Sequence, residues 1–487
     1  MICISVTPTS RQLAKVDLLN AAGQGDLIEL CLDHLIKPPD MKELLDGVNK
    51  PMLVSCRRQQ EGGHWKGTDD QRMKLLREAI VAGPAYVELD LETARNVPRF
   101  GDTKRVISYT RLDRPLRNID SVFQDAAKVN ADVVKFTWPT PTLESAWPLL
   151  AGVTKKRDLP VVGLGLGRAG LMFSLLGRKY GSPWIYAALE RGMEAFEDQA
   201  TVGELDEVYG WRDISPQTRF IGIVGVGPAE TTTVRVFNTV FKKRGINARC
   251  LPLVSNQFDK LQQMLDVLKI NAIITSRDLG ERILPLAEHT DEAVRLGQHA
   301  DLLLKQPDGW HAYNSIWRTA SGVLESMLGK RTVNERPLDS RNVLIIGTGG
   351  LAQSLVYGVL RRKGLVSVTG SNEKATQQIA QRLQARFVPF HNLYDTLADI
   401  VVLADPDLRM GVKKSELNPS FLRAPMTFID VGCMPQDGDI LKEARGRGCT
   451  IVEPLDIYLA QVASQFKSVT GHDVSSDEFR VAVNVEG

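Results

Sequence analysis

The chain has 487 residues, enough for about three domains of ordinary size. Hydrophobic residues make up 43% and charged residues 24%, a globular composition that excludes a disordered or collagenous chain. With 60 Lys plus Arg against 58 Asp plus Glu, the formal charge is only +2, so neither a nucleic acid nor a membrane surface is an expected partner. No apolar run reaches the ~18 residues that a membrane span needs. The opening Met1–Val6 reads as a strand with no basic segment before it, so no signal peptide is expected. The cysteines at 3, 31, 56, 250, 433 and 449 form no C-x-x-C pair, and the histidines do not cluster near them. That pattern predicts free thiols in a reducing cytoplasm and no metal.

In chain order, short apolar runs alternate with amphipathic stretches through the first 213 residues. The runs are Ile2–Val6, Leu27–Asp33, Met52–Arg57, Tyr86–Glu92, Arg105–Thr110, Asp132–Trp138, Leu159–Gly167 and Ile185–Leu189. Helical periodicity marks Ser10–Ala22, Asp70–Ala82, Ile119–Asn130 and Leu143–Leu150. Eight strands alternating with helices predict an α/β fold, a (β/α)8 barrel over 1–213.

Side chains alternate faces along a strand, so Glu29, Cys31 and Asp33 share one face, and Glu88, Asp90 and Glu92 another. Lys135 lies among apolar residues in Asp132–Trp138. A charge inside a barrel is costly unless paired. Lys135 is therefore either half of a buried ion pair or an amine made available to form an imine with a ketone.

After the Asp213–Pro216 break, Thr218–Gly225 is a new strand. The helix Thr231–Arg244 and strands at Ala248–Val254 and Asn271–Thr275 follow, a small α/β lobe over 218–318. Asn342–Ile346, the turn Gly347-Thr348-Gly349-Gly350, the helix Leu351–Lys363 and the strand Val366–Thr369 then form a βαβ unit. That is the context a dinucleotide fingerprint requires, with Ala352 at the third small position, and it predicts a Rossmann-type nucleotide lobe over 319–455. Ser371 and Lys374 follow its second strand, where the ribose is selected.

Several segments resemble a known family. Glu29-Leu-Cys-Leu-Asp33, Cys56-Arg57 with Glu61-Gly-Gly63, Val133-Val-Lys135 and Gly170-Leu-Met172 resemble type I 3-dehydroquinate dehydratase. The Gly347–Gly350 turn, Asp430–Pro435 and Tyr458–Val462 resemble shikimate dehydrogenase. The order is that of the bifunctional fusion, and the resemblance covers essentially the whole chain. It implies a barrel that forms a Schiff base through Lys135, with Glu29, Arg57, Asp90 and Gln199 lining the site. Behind the barrel it implies a two-lobed dehydrogenase using NADP or NAD and no metal, whose substrate lobe is completed by a C-terminal helix within 456–487. Thr231, Thr233, Asn238, Tyr313, Asn314 and Gln461 would face substrate.

The resemblance is broken at several functional positions. Cys31 stands for an arginine, Asp90 for a glutamate, and Arg111 for the catalytic histidine. Phe173-Ser174 and Ala195 replace further substrate-contacting residues. Leu279 and Ile316 stand where the dehydrogenase has its Lys and Asp, and Cys433 replaces a tyrosine. Guanidinium cannot act as an ordinary base, and leucine and isoleucine cannot donate a proton. The expected function is a shikimate-pathway lyase dehydrating 3-dehydroquinate, with its dehydrogenase activity impaired. The alternatives are a degenerate paralogue that binds a small acid or nucleotide without turnover, and a different Schiff-base lyase.

Overall fold

The structure is a computed structural model. It describes residues 1–483 except 115, 117, 168–169, 197, 226, 256, 330–335, 406, 409–416 and 433, so Cys433 lies outside the described residues. The chain divides into two compact units, Met1–Arg219 with Phe241–Gln257, and Phe220–Val240 with Phe258–Gly487.

In the first unit, eight strands run parallel. They are β1 (Ile2–Val6), β2 (Leu27–Cys31), β3 (Met52–Ser55), β4 (Tyr86–Asp90), β5 (Lys104–Thr110), β6 (Val133–Pro139), β7 (Val161–Leu166) and β8 (Ile185–Ala187). They pair in the order β7-β6-β5-β4-β3-β2-β1-β8, a nearly closed barrel whose hydrogen-bonded ladder ends at β7 and β8. Seven α-helices follow the first seven strands; β8 is followed instead by bends and a single π turn at Glu204–Val208.

Alternation decides what fills the barrel. Cys3, Leu27, Leu53, Val106, Val133, Val162, Trp184 and Tyr186 form an apolar cluster inside it. Two residues further along their strands, Glu29, Glu88 and Lys135 are buried as well, so charge sits directly on an apolar floor. The predicted Tyr86–Glu92 run is shorter than expected. The Asp90 carboxylate accepts from Thr93 N–H at 3.0 Å and caps the helix Leu91–Asn96. Glu92 therefore leaves the strand and its side chain is exposed, sharing no face with Glu88.

In the second unit, β9 (Arg219–Val224), β11 (Ala272–Thr275), β13 (Leu302–Gln306), β14 (Gly309–Tyr313) and β12 (His289–Thr290) lie side by side in that order, with both parallel and antiparallel pairs. The intervening strand β10 (Ala248–Leu253) falls in the first unit. A separate six-stranded sheet is wholly parallel. Its strands are β15 (Asn342–Ile346), β16 (Leu365–Thr369), β17 (Arg386–Phe387), β18 (Ile400–Leu403), β19 (Thr427–Asp430) and β20 (Thr450–Val452), in the order β17-β16-β15-β18-β19-β20. Counted from β15 this is 3-2-1-4-5-6, the doubly wound dinucleotide topology. The C-terminal helices Pro454–Thr470 and Ser476–Val483 pack on the helix Pro228–Lys243, with the Phe466 ring 5.4 Å from both Phe237 and Phe479.

Gly163 in β7 has no space for a side chain: a Cβ there would lie 2.0 Å from the ring of buried Phe173 on the following helix. Gly163→Ala is expected to destabilise the barrel by about 1–3 kcal/mol, the cost of overpacking a filled core. Chemical denaturation checks this; an unchanged midpoint would show that Phe173 moves freely.

Candidate functional site

Four charged side chains meet inside the barrel, each carried by a different strand or strand end. Lys135 on β6 is fully buried, and its Nζ donates to Glu88 Oε2 at 2.8 Å. Arg57, just beyond β3, donates to both Glu88 oxygens, at 3.1 Å from Nε and 2.8 Å from an Nη. The same guanidinium bonds Glu29, which also accepts from the Ser5 hydroxyl at 2.7 Å. Two acids and two bases give the group no net charge, which is what makes such burial tolerable. The Lys135 Nζ also lies 4.4 Å from the centroid of the Tyr186 ring, within cation–π range.

Electrostatics follow the geometry. Burial by itself raises the Glu88 carboxyl, but the Arg57 and Lys135 charges and hydrogen bonds outweigh it and hold the group below its usual range. Burial lowers Arg57, and Glu29 and Glu88 more than reverse that. Burial, then the Glu29 and Glu88 charges, push Tyr186 up, so it remains a neutral phenol.

The other residues expected in the barrel site are less united. Asp90 lines a small hollow with Arg57 and Glu88 but is held as a helix cap by Thr93, with Arg72 at 3.2 Å. Cys31 is buried with its Sγ 3.7 Å from an Arg57 Nη. Gln199 is buried, its Oε1 accepting from Ala195 N–H at 2.9 Å. Arg111 leaves β5 with its amide bonded to Thr137 O at 2.8 Å and its side chain exposed, outside the cluster. The hollow beside Arg57, Glu88 and Asp90 has a volume of only about 10 Å³, room for no more than about one water. Arg57 is one of the residues that line it.

The second unit holds a cleft of about 800 Å³ at the glycine turn, lined by Thr348, Gly349 and Gly350. Gly347 takes φ +139°, and a Cβ there would crowd Ala404 and Ala352, which explains the small residue at 352. The helix Gly350–Leu360 begins at this turn, so its first N–H groups form an anion seat. Glu281 occupies that seat: its carboxylate accepts from Gly350 N–H. The rest of the lining is acidic too, with Glu230, Asp278, Asp405, Asp407, Asp430, Asp437 and Asp439. Burial pushes the Glu230 and Asp405 carboxyls up, with smaller contributions from the Asp278 and Asp407 charges. Arg277, the one basic residue among the described residues of the lining, donates to the Val431 and Met434 carbonyls. As arranged, these residues do not fit a dinucleotide pyrophosphate.

The residues expected to face a dehydrogenase substrate are not gathered in this cleft. Thr233 donates to Ala229 O at 2.8 Å and meets the Tyr458 hydroxyl at 3.0 Å. Thr231 is exposed and Asn238 buried. The Tyr313 hydroxyl accepts from Gln306 at 2.7 Å, and Asn314 donates to Ser354 at 2.7 Å. Gln461 donates to Asp301 at 2.9 Å. Ser371 and Lys374 are exposed beyond β16 and do not line the cleft. Leu279 is half-buried and Ile316 fully buried. Sequence reasoning missed Asp301, a buried carboxylate accepting from Ser315 N–H and Oγ–H, Ile316 N–H and Gln461. Its signal was only its place just before a strand. It also missed Glu281, which reads as an ordinary surface acid.

Removing one member of the barrel quartet leaves its partners buried and uncompensated. Glu88→Gln is expected to cost about 3–5 kcal/mol of barrel stability. Because Glu88 is lowered in the folded state, its contribution is present above the ordinary Glu value of 4.5 and is lost as pH falls through the folded value. Thermal unfolding from pH 7 downward should therefore lose more stability below that value in wild type than in Glu88→Gln. Parallel curves would contradict the pairing.

Comparison with known proteins agrees with the two-part plan. Residues 2–216 match the family model of type I 3-dehydroquinase. Over 495 residues the chain is 23% identical to the bifunctional 3-dehydroquinate dehydratase/shikimate dehydrogenase of Arabidopsis thaliana, covering 97% of this chain and 82% of the relative. Over 262 residues it is 24% identical to the shikimate dehydrogenase (NADP(+)) of Syntrophobacter fumaroxidans, covering 52% of this chain and 87% of that one. The solved shikimate dehydrogenase of Aquifex aeolicus aligns with a TM-score of 0.49 at 19% identity, over 55% of this chain and 98% of its own. Residues 2–216 are thus a type I 3-dehydroquinase domain, and the chain is a homologue of the bifunctional enzymes, with a shikimate dehydrogenase-like domain behind the barrel.

Proposed function

We propose that the barrel is a Schiff-base lyase acting on a 3-dehydroquinate-class ketone through Lys135, and that the second unit does not work as a dehydrogenase in the usual form. The observation that carries the first part is Lys135 itself: a fully buried amine with a carboxylate at 2.8 Å. In the proposed reaction Nζ attacks the carbonyl carbon, and loss of water from the carbinolamine gives the imine. Glu88 is placed to accept the Nζ proton and return it to the departing oxygen. The imine then withdraws electrons while a proton leaves the adjacent carbon and the β-hydroxyl departs as water. Among the described residues no imidazole lines the hollow beside Glu88, so that second proton transfer has no ordinary base there. The hollow must widen to admit substrate, since it has room for no more than about one water. The tightness of that hollow is what favours the second reading, a paralogue that binds without turnover.

For the second unit, the supporting observations are Glu281 on the pyrophosphate seat and aliphatic side chains at 279 and 316. A nicotinamide dinucleotide, NADP or NAD, would have to displace Glu281 and enter a cleft of carboxylates. No step of the reaction is assigned to it.

Incubating the protein with 3-dehydroquinate, reducing with borohydride and mapping peptide masses tests the barrel. A dehydrated adduct on Lys135, absent in Lys135→Ala, is expected. An adduct that keeps its water would establish the binding reading, and an adduct on another lysine would overturn the site. In the second unit, Glu281→Gln is expected to tighten NADP binding by about tenfold, equivalent to about 1.4 kcal/mol, without restoring shikimate oxidation. Equal weak binding in both proteins would show that Glu281 is not the obstacle.

A further inference from the structure

The catalytic face of the barrel carries a second group of donors that the Lys135 chemistry does not use. Asp33 and His34 close the turn after β2, and His64 lies in the loop after β3. The C-terminal ends of barrel strands are where this architecture places its chemistry. Asp33 is buried and fastens both loops: Oδ1 accepts from Arg57 N–H at 3.2 Å, and Oδ2 from His64 N–H at 2.8 Å. The His34 and His64 rings lie with centroids 4.2 Å apart and planes tilted by 44°. One nitrogen from each ring and a carboxylate oxygen lie within 4.8 Å of one another. His34 Nε2 is 3.8 Å from Asp33 Oδ2, close but not hydrogen-bonded. Asp33 is buried, His34 half-buried and His64 exposed, so the group is backed by protein on one side and open on the other.

Each Asp33 oxygen that accepts one amide keeps a second lone pair. Two imidazoles and one carboxylate suit a borderline divalent ion of the zinc, cobalt or nickel type. Three protein ligands leave a coordination position open. The backbone amides on Asp33 are the outer support that orients such a ligand. We propose that Asp33, His34 and His64 bind a divalent transition metal at the mouth of the barrel, its open position available to an oxygen of a small anionic molecule. Through the Arg57 amide Asp33 is tied to the residue that shares Glu88 with Lys135. The proposal does not depend on imine formation.

A second combination, His289, Asp308 and His311, is a weaker candidate. There both Nε2 atoms already contact the Asp308 carboxylate, at 3.4 and 2.9 Å, and an ion would have to break those contacts. It serves as the control. The full-length protein, stripped with a chelator, is titrated with Co²⁺ and followed by visible absorption, and its unfolding temperature is measured with and without Zn²⁺. One equivalent of Co²⁺ is expected to give a d–d band, and Zn²⁺ to raise the unfolding temperature as ligand linkage requires. His34→Ala and His64→Ala should each weaken Co²⁺ binding at least tenfold while leaving the metal-free unfolding temperature unchanged. His289→Ala should change neither. Absence of stoichiometric Co²⁺ binding, retained affinity in the His34 and His64 variants, or loss only in His289→Ala would each overturn the site.

Discussion

The barrel depends on one electrostatic constraint: an amine can be kept dry inside it only if opposite charge comes with it. Lys135 sits on an apolar floor, and Glu88 answers it from β4, two strands away in the barrel. Two carboxylates and one lysine would leave a net negative charge, and Arg57 completes the balance by bridging Glu29 and Glu88. Four strands or strand ends are thereby tied together at one point, so the same interactions that tolerate a buried amine also hold this end of the barrel in register. The arrangement has a consequence for entry. Arg57 both neutralises the cluster and lines the small hollow beside Glu88, so a ligand entering there would exchange the Arg57–carboxylate contacts for its own. A carboxylate-bearing ligand is suited to that exchange because it offers the guanidinium a new partner.

The nucleotide-type sheet of the second unit shows the opposite use of a carboxylate. Its topology and its Gly347 turn are those of a dinucleotide lobe, and its helix N-terminus attracts an anion. The anion there belongs to the chain. Glu281 satisfies the Gly350 amide, and the surrounding acids make the cleft hostile to a phosphate. A dinucleotide-type fold and glycine turn thus stand beside a cleft whose described lining is mostly acidic where it is charged, which is why architecture alone does not settle activity.

Much of this was legible in the sequence. The strands of the barrel follow from short apolar runs of regular spacing, and β1 and β15 match their expected limits residue for residue. Lys135 stood out because a charge among apolar strand residues demands a partner. Of its two readings, the buried ion pair is the one seen in the structure, with Glu88 as the partner. Other features had no sequence signal. Asp90 reads equally well as strand or helix cap, and only the local hydrogen bond to Thr93 ends β4 there. Glu281 lies about 70 residues from the turn it caps, and Asp301 draws its partners from residues 315–316 and 461, so no local pattern announces either. Arg111, expected at the site from alignment of motifs, is exposed, because position along a strand end does not determine where a long side chain goes.

We propose that the barrel carries ketone chemistry and that the second unit does not work as a dehydrogenase in the usual form. Both activities can be followed in one protein sample. The account predicts that 3-dehydroquinate is consumed faster than in a Lys135→Ala sample, while shikimate with NADP yields no reduced cofactor above buffer. NADP reduction at an enzyme-like rate, with 3-dehydroquinate consumption no faster than in the variant, would contradict it.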